Sequence, residues 1–158
     1  MTASIVLFGA TGYTSGCIAQ EMAARGLQPV LAGRNAAELA RLVEGLGGLQ
    51  TVTADVSDAG SVRALIGEGD VQVSTVGPFM RLGEAVLSAA VQVGAIYLDS
   101  TGEPPFLRRV FEEFGPLAAR SAASLLTAFG NGYAFGLDVL AAGAAEIGLH
   151  RMTAAEEP

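Results

Sequence analysis

The chain contains no lysine; its nine cationic residues are all arginine. That absence removes the P-loop lysine on which ordinary ATPases and GTPases depend. It also removes the tyrosine–lysine dyad of short-chain dehydrogenases, because Tyr13, Tyr97 and Tyr133 are followed four residues later by Cys17, Thr101 and Leu137. Histidine is nearly missing as well. His150 stands alone near the C-terminal end, so no metal cluster and no Ser-His-Asp triad can be assembled around it, and no metal is expected. The single cysteine, Cys17, excludes an internal disulfide, fits a reducing compartment, and reads as a small core residue of the first helix. No stretch approaches the roughly 20 uninterrupted apolar residues of a membrane span. The longest are broken by Glu84 and Gln92, and by Asp138 and Glu146.

Positive charge is short overall, at a net −7, and only Arg108 and Arg109 are adjacent, so a nucleic-acid partner is not expected. An acidic chain that holds an anion must do so locally, with backbone N–H groups, a helix end and one or two arginines. Apolar residues are plentiful, at 51% with a mean hydropathy of +0.44. That excess suggests burial beyond what one small monomer offers, supplied by a homodimer interface or a partner domain. The 158 residues suit one domain with one core. Met1 to Ser4 lead directly into an apolar run with no basic segment ahead of it, so no secretory signal is expected and a cytoplasmic location is.

Apolar runs alternate with helical patterns along the whole chain, the mark of a parallel sheet covered by helices on both faces. Strands are expected near residues 4–8, 29–32, 49–53, 71–76, 95–98 and 124–128. Helices are expected from the glycine turn to about Ala24, after Asn35, around Val62 to Ile66, over about 83–93, and after Pro104-Pro105. Asn35 with Glu38 three residues on reads as a helix start, and Gly94 as a C-terminal cap. Leu107, Val110, Phe111 and Phe114 read as one buried face, with Gly115-Pro116 kinking or restarting the helix. A last helix carries Leu137, Leu140, Ala144 and Ile147 on one face, and residues 151–158 read as a frayed tail. The fold class is α/β, a doubly wound parallel sheet of about six strands in a single domain over residues 1–150.

The chemistry concentrates where apolar runs end. Ile5 to Phe8 drops into Gly9-Ala10-Thr11-Gly12-Tyr13-Thr14-Ser15-Gly16, and a helix follows. Gly9 permits the tight turn, Gly12 lets backbone approach a pyrophosphate, and Ser15 is the small residue that lets helix and strand pack closely. The alternative is a structural turn in some other α/β protein. Gly33-Arg34-Asn35 ends the second run, where a dinucleotide site specific for NAD would carry a carboxylate. A guanidinium there forks onto a 2′-phosphate, pointing to NADP, unless Arg34 is simply a surface residue at a helix start. Asp55 and Val56 follow the third strand, where Asp55 either accepts from the adenine amino group or simply ends the strand or caps a helix. Val76-Gly77-Pro78-Phe79 ends the fourth strand on the nicotinamide side. Tyr97, Asp99 and Glu103 are the polar groups nearest that end, but structural hydrogen bonding explains them better, so catalytic residues stay unassigned.

Taken together, these segments resemble the NADP-binding Rossmann domain of the saccharopine dehydrogenase-like oxidoreductases, including their trans-acting enoyl reductase branch. The resemblance is carried by residues 5–16, by Leu31 to Asn35, by Ser74 to Phe79 with Gly83, and by Tyr97 to Glu103. It implies an NADP-dependent oxidoreductase in which Gly9, Thr11, Gly12, Tyr13, Arg34 and the loop from Val76 to Phe79 touch the cofactor. Members of this family are much longer, with a second domain that closes the substrate cleft. A substrate domain is therefore expected to be absent here, whether deleted, truncated or separately encoded. A small-molecule carbonyl, imine or enoyl acceptor is the expected substrate. A non-catalytic NADP-binding sensor or interaction module is the alternative.

Overall fold

A computed structural model describes residues 3–130. Six short strands are threaded by helices: β1 (Ile5–Phe8), α1 (Tyr13–Ala24), β2 (Val30–Gly33), α2 (Ala36–Glu44), β3 (Thr51–Thr53), α3 (Ala59–Arg63), β4 (Val71–Ser74), α4 (Phe79–Val93), β5 (Ile96–Asp99), α5 (Pro104–Arg109), a π-helical turn (Val110–Phe114), α6 (Gly115–Ser121) and β6 (Ser124–Leu126). Every pairing is parallel and the strand order is β3-β2-β1-β4-β5-β6. The chain starts in the middle of the sheet, winds outward to β3, then returns to β4 and winds to β6. The doubly wound α/β architecture follows, and β1 and β4 flank the crevice where the winding reverses. The expected helix with Leu137 and Ile147, the tail, Tyr133 and His150 lie outside the described residues.

Because alternate residues of a strand face opposite sides, β1 feeds two cores. Leu7 packs with Leu31, Ala10, Ala19 and Leu39 beneath α1 and α2. Val6 and Phe8 join the larger cluster with Ala32, Val86, Ala90, Tyr97 and Phe106 beneath α3 to α6. Burying the fully enclosed Leu and Val side chains is worth about 1.5–3 kcal/mol each. The carboxyl ends of the strands are thereby held between two packed clusters.

Three expectations are corrected. Cys17 is exposed: α1 buries Ser15 and Ala19, one turn apart, and position 17 points the other way. The fourth helix begins at Phe79 rather than near Gly83, which sits in its interior under the Phe106 ring. The stripe after Pro104 is Phe106, Val110, Phe114 and Ala118, while Phe111 is 68% exposed and Leu107 is half-buried. The π-helical turn accounts for the change of phase, since its wider winding stacks residues four apart more closely than an α-helix does.

Candidate functional site

The site is built from the loops at the carboxyl edge around β1, β2, β3 and β4. After Phe8 the backbone turns at Gly9, whose φ is +84°. The N–H groups of Gly9 and Ala10 both donate to the carbonyl of Ala32, tying the turn to the end of β2. A Cβ on Gly9 would lie 2.6 Å from Val76 Cγ2, so the turn and the β4 loop touch at a point only glycine permits. Gly12 precedes α1 with no side chain capping the helix, which leaves first-turn N–H groups open toward an anion. Ser15 is fully buried and its hydroxyl pairs with Thr75 Oγ1, locking α1 to the end of β4.

Eight of the fourteen sequence-predicted residues line one cleft of about 460 Å³: Gly9, Thr11, Gly12, Arg34, Asp55, Val56, Val76 and Gly77. They come from four separate loops, and the strand order alone brings them together. The other six stand apart from that lining. Ala10 is buried beneath α1 and α2, and Ser15 is buried against Thr75. Tyr13 opens α1 with 91% of its surface exposed. The Asn35 side chain accepts from the N–H groups of Ala37 and Glu38, capping α2. Pro78 follows a cis peptide bond and caps α4 through its backbone position. Phe79 is 6% exposed, and its ring lies 5.6 Å from that of Phe106, in the core. Ser57, Thr75 and Leu82 line the cleft without having been singled out in the sequence. Small polar residues next to a predicted site residue, Ser57 after Val56 and Thr75 before Val76, were the available signal for the first two.

Arg34 is exposed and makes no ion pair among the described residues. Asp55 lines the same cleft. The Asp55 carboxylate accepts from Ser57 N at 2.8 Å and Ser57 Oγ at 2.7 Å. Those hydrogen bonds, with a smaller contribution from the Arg34 charge, hold its carboxyl below the ordinary range. It therefore stays anionic and accepts hydrogen bonds at neutral pH, which suits an exocyclic amino group better than a phosphate.

The polar groups on the far side of the crevice are engaged in holding loops. Asp99, 2% exposed, accepts from Thr101 N at 2.9 Å, from Ala128 N at 3.0 Å and from Thr127 Oγ1 at 2.9 Å. Glu103 reaches back to the start of α4, where its two oxygens accept from Phe79 N at 2.6 Å and Met80 N at 3.0 Å. The Tyr97 hydroxyl is buried with no partner in hydrogen-bond geometry, and Gln72 and Ser74 beside it on β4 are in the same state. Burial, with the nearby Asp99 carboxylate, raises the Tyr97 phenol well above its ordinary range. No group of three histidine, cysteine or acidic side chains among the described residues could hold a metal ion. No helix among them is long and apolar enough to cross a membrane.

A glycine cradle that a Cβ would fill, an uncapped helix start and an unpaired arginine fit a phosphorylated dinucleotide. Comparison with known proteins agrees. Residues 5–125 match the saccharopine dehydrogenase NADP-binding domain family. A Mycobacterium tuberculosis protein provisionally named a trans-acting enoyl reductase is 36% identical over 132 residues, covering 80% of this chain and 32% of its own length. The trans-acting enoyl reductase of Mycobacterium ulcerans is 33% identical over the same shares. The chain thus spans about a third of the curated relatives it matches. Among solved structures, apo saccharopine dehydrogenase (L-Glu forming) from Saccharomyces cerevisiae superposes with a TM-score of 0.68 at 19% identity, over 82% of this chain and 27% of that one. The chain therefore belongs to the saccharopine dehydrogenase NADP-binding domain family, and its cofactor is NADP.

Proposed function

We propose that this domain is the NADPH-holding half of an oxidoreductase that delivers a hydride to a small-molecule carbonyl, imine or enoyl acceptor. The observation that carries the reading is the opening of the Gly9–Gly12 turn and Arg34 into one cleft. Bound there, NADPH supplies the hydride chemistry and the protein supplies position. The start of α1 holds the pyrophosphate, Arg34 takes the 2′-phosphate, Asp55 accepts from the adenine amino group, and Val76 with Gly77 walls the nicotinamide side. The acceptor is gathered by a partner domain or a second copy of the chain. Exposed Tyr13, Met80 and Phe129, which begin α1 and α4 and follow β6, offer apolar area on the same edge of the sheet. The names of the mycobacterial relatives favour an enoyl acceptor.

Calorimetric titration tests the cofactor preference. NADPH binds more tightly than NADH, and Arg34→Asp reverses the order; equal affinities that Arg34→Asp leaves unchanged would refute the assignment. A second reading, a non-catalytic NADP-binding sensor or interaction module, draws on one observation. Asp99 and Glu103 spend their carboxylates on loop hydrogen bonds and Tyr97 is buried, so none of the three is free to move a proton. Tight NADPH binding without oxidation across carbonyl, imine and enoyl acceptors would favour that reading.

A further inference from the structure

Arg41 is left unexplained by the cleft and by the ion pairs. It sits on α2, three residues after Glu38, exposed and without an ion pair among the described residues. With Thr11, Glu38 and Leu42 it lines a second, open depression of about 380 Å³. Thr11 belongs to both hollows, since it also lines the main cleft with Arg34. Thr11 therefore borders two hollows, each lined by an arginine without an ion pair among the described residues: Arg34 at the end of β2 and Arg41 on α2.

The backbone of α2 adds little to that place. The Asn35 side chain already occupies the N–H groups of Ala37 and Glu38, so an anion resting there must be held by side chains. Arginine suits the task, because its fork matches phosphate oxygens and its charge is permanent. Glu38 opposes it. Glu38 lines the same depression without an ion pair to Arg41, and its negative charge repels a phosphate.

We propose that the 2′-phosphate of NADP is shared between Arg34 and Arg41 across Thr11, with Glu38 as the opposing charge that limits the preference. The proposal rests on the NADP assignment and extends it to a residue outside the main cleft. Arg41 is exposed, so Arg41→Ala leaves the fold intact, which circular dichroism checks. Titrations with NADPH, NADH and 2′-AMP then separate the possibilities. Arg41→Ala weakens NADPH and 2′-AMP about fivefold and leaves NADH unchanged, the scale of one solvent-exposed charge-assisted contact. Glu38→Gln tightens NADPH about twofold to threefold, again without effect on NADH. An Arg41→Ala protein that binds NADPH like the parent, or that loses NADPH and NADH equally, overturns the proposal. If Arg34→Ala weakens NADPH selectively while Arg41→Ala does not, only this extension fails. If neither substitution matters, the NADP assignment at Arg34 fails with it.

Discussion

Replacing Gly9 by alanine tests whether the phosphate turn and the β4 loop are one mechanical unit. Two costs arise. The backbone at φ +84° is strained for any residue with a Cβ, worth about 1–2 kcal/mol. The new methyl also falls 2.6 Å from Val76 Cγ2, well inside a carbon–carbon contact of about 3.5–4.0 Å, and such overpacking costs about 1–3 kcal/mol. Gly9→Ala is thus expected to destabilise by about 3 kcal/mol. Val76→Ala removes both γ-methyls of a half-buried side chain and costs about 1 kcal/mol alone. The double variant keeps the backbone strain but loses the clash, so it should cost about 2–2.5 kcal/mol instead of the additive 4. Urea unfolding followed by far-UV circular dichroism measures all three, the chain having no tryptophan. Strict additivity, or a Gly9→Ala cost below about 1 kcal/mol, would sink the argument. Gly94→Ala is the control. At φ +72° its Cβ meets the carbonyl oxygen of Ser121 at 2.6 Å, a backbone atom that no side-chain deletion removes.

The same unfolding assay reaches other parts of the fold. Phe106→Ala is expected to cost about 3–5 kcal/mol and Phe111→Ala less than about 0.5, and similar losses would contradict the phase set by the π-helical turn. Glu103→Ala uncaps α4 and should cost about 1–2 kcal/mol, with Glu103→Gln recovering part of it; a neutral Glu103→Ala would show the contacts to be idle. Tyr97→Phe removes a buried hydroxyl that lies near Asp99 and Ser74 without a hydrogen bond of good geometry, so it should be neutral or stabilising by up to about 1 kcal/mol. Because the folded state raises the Tyr97 pKa, its share of stability is present below the ordinary phenol range and is lost as pH rises beyond it. The alkaline limb of a pH–stability curve should flatten in Tyr97→Phe, and an unchanged limb counts against the assignment.

The order of elements and most of the cleft were legible because local chemistry decided them. Asn35 caps α2 as its spacing with Glu38 implied, and Gly94 ends α4 in the left-handed conformation. Arg34 and the Gly9–Gly12 turn face one cleft because a parallel sheet delivers successive loops to the same edge. What escaped the sequence was decided at long range. Sequence separations of 24 from Phe79 to Glu103, and of 28 from Asp99 to Thr127, hide the hydrogen bonds that make these carboxylates loop fasteners. Gly83 looked like a helix boundary because its reason for being glycine, the Phe106 ring, lies on another helix. Phe79 was expected to touch the cofactor as the last residue of the β4 loop, yet the first turn of α4 points it inward. Arg41 carried no local signal, since only the fold sets it beside Thr11.

The cap that Glu103 places on α4 has a consequence for where an anion can settle. Two helices, α1 and α4, begin at this edge of the sheet after the two strands that flank the crevice, and each start is an electropositive socket. One is plugged from within by the chain's own carboxylate, which matches a phosphate in charge. The other is open. An anion drawn to this edge of the sheet therefore meets one helix start that is open, on α1, and one, on α4, where a negative charge already sits and would repel it.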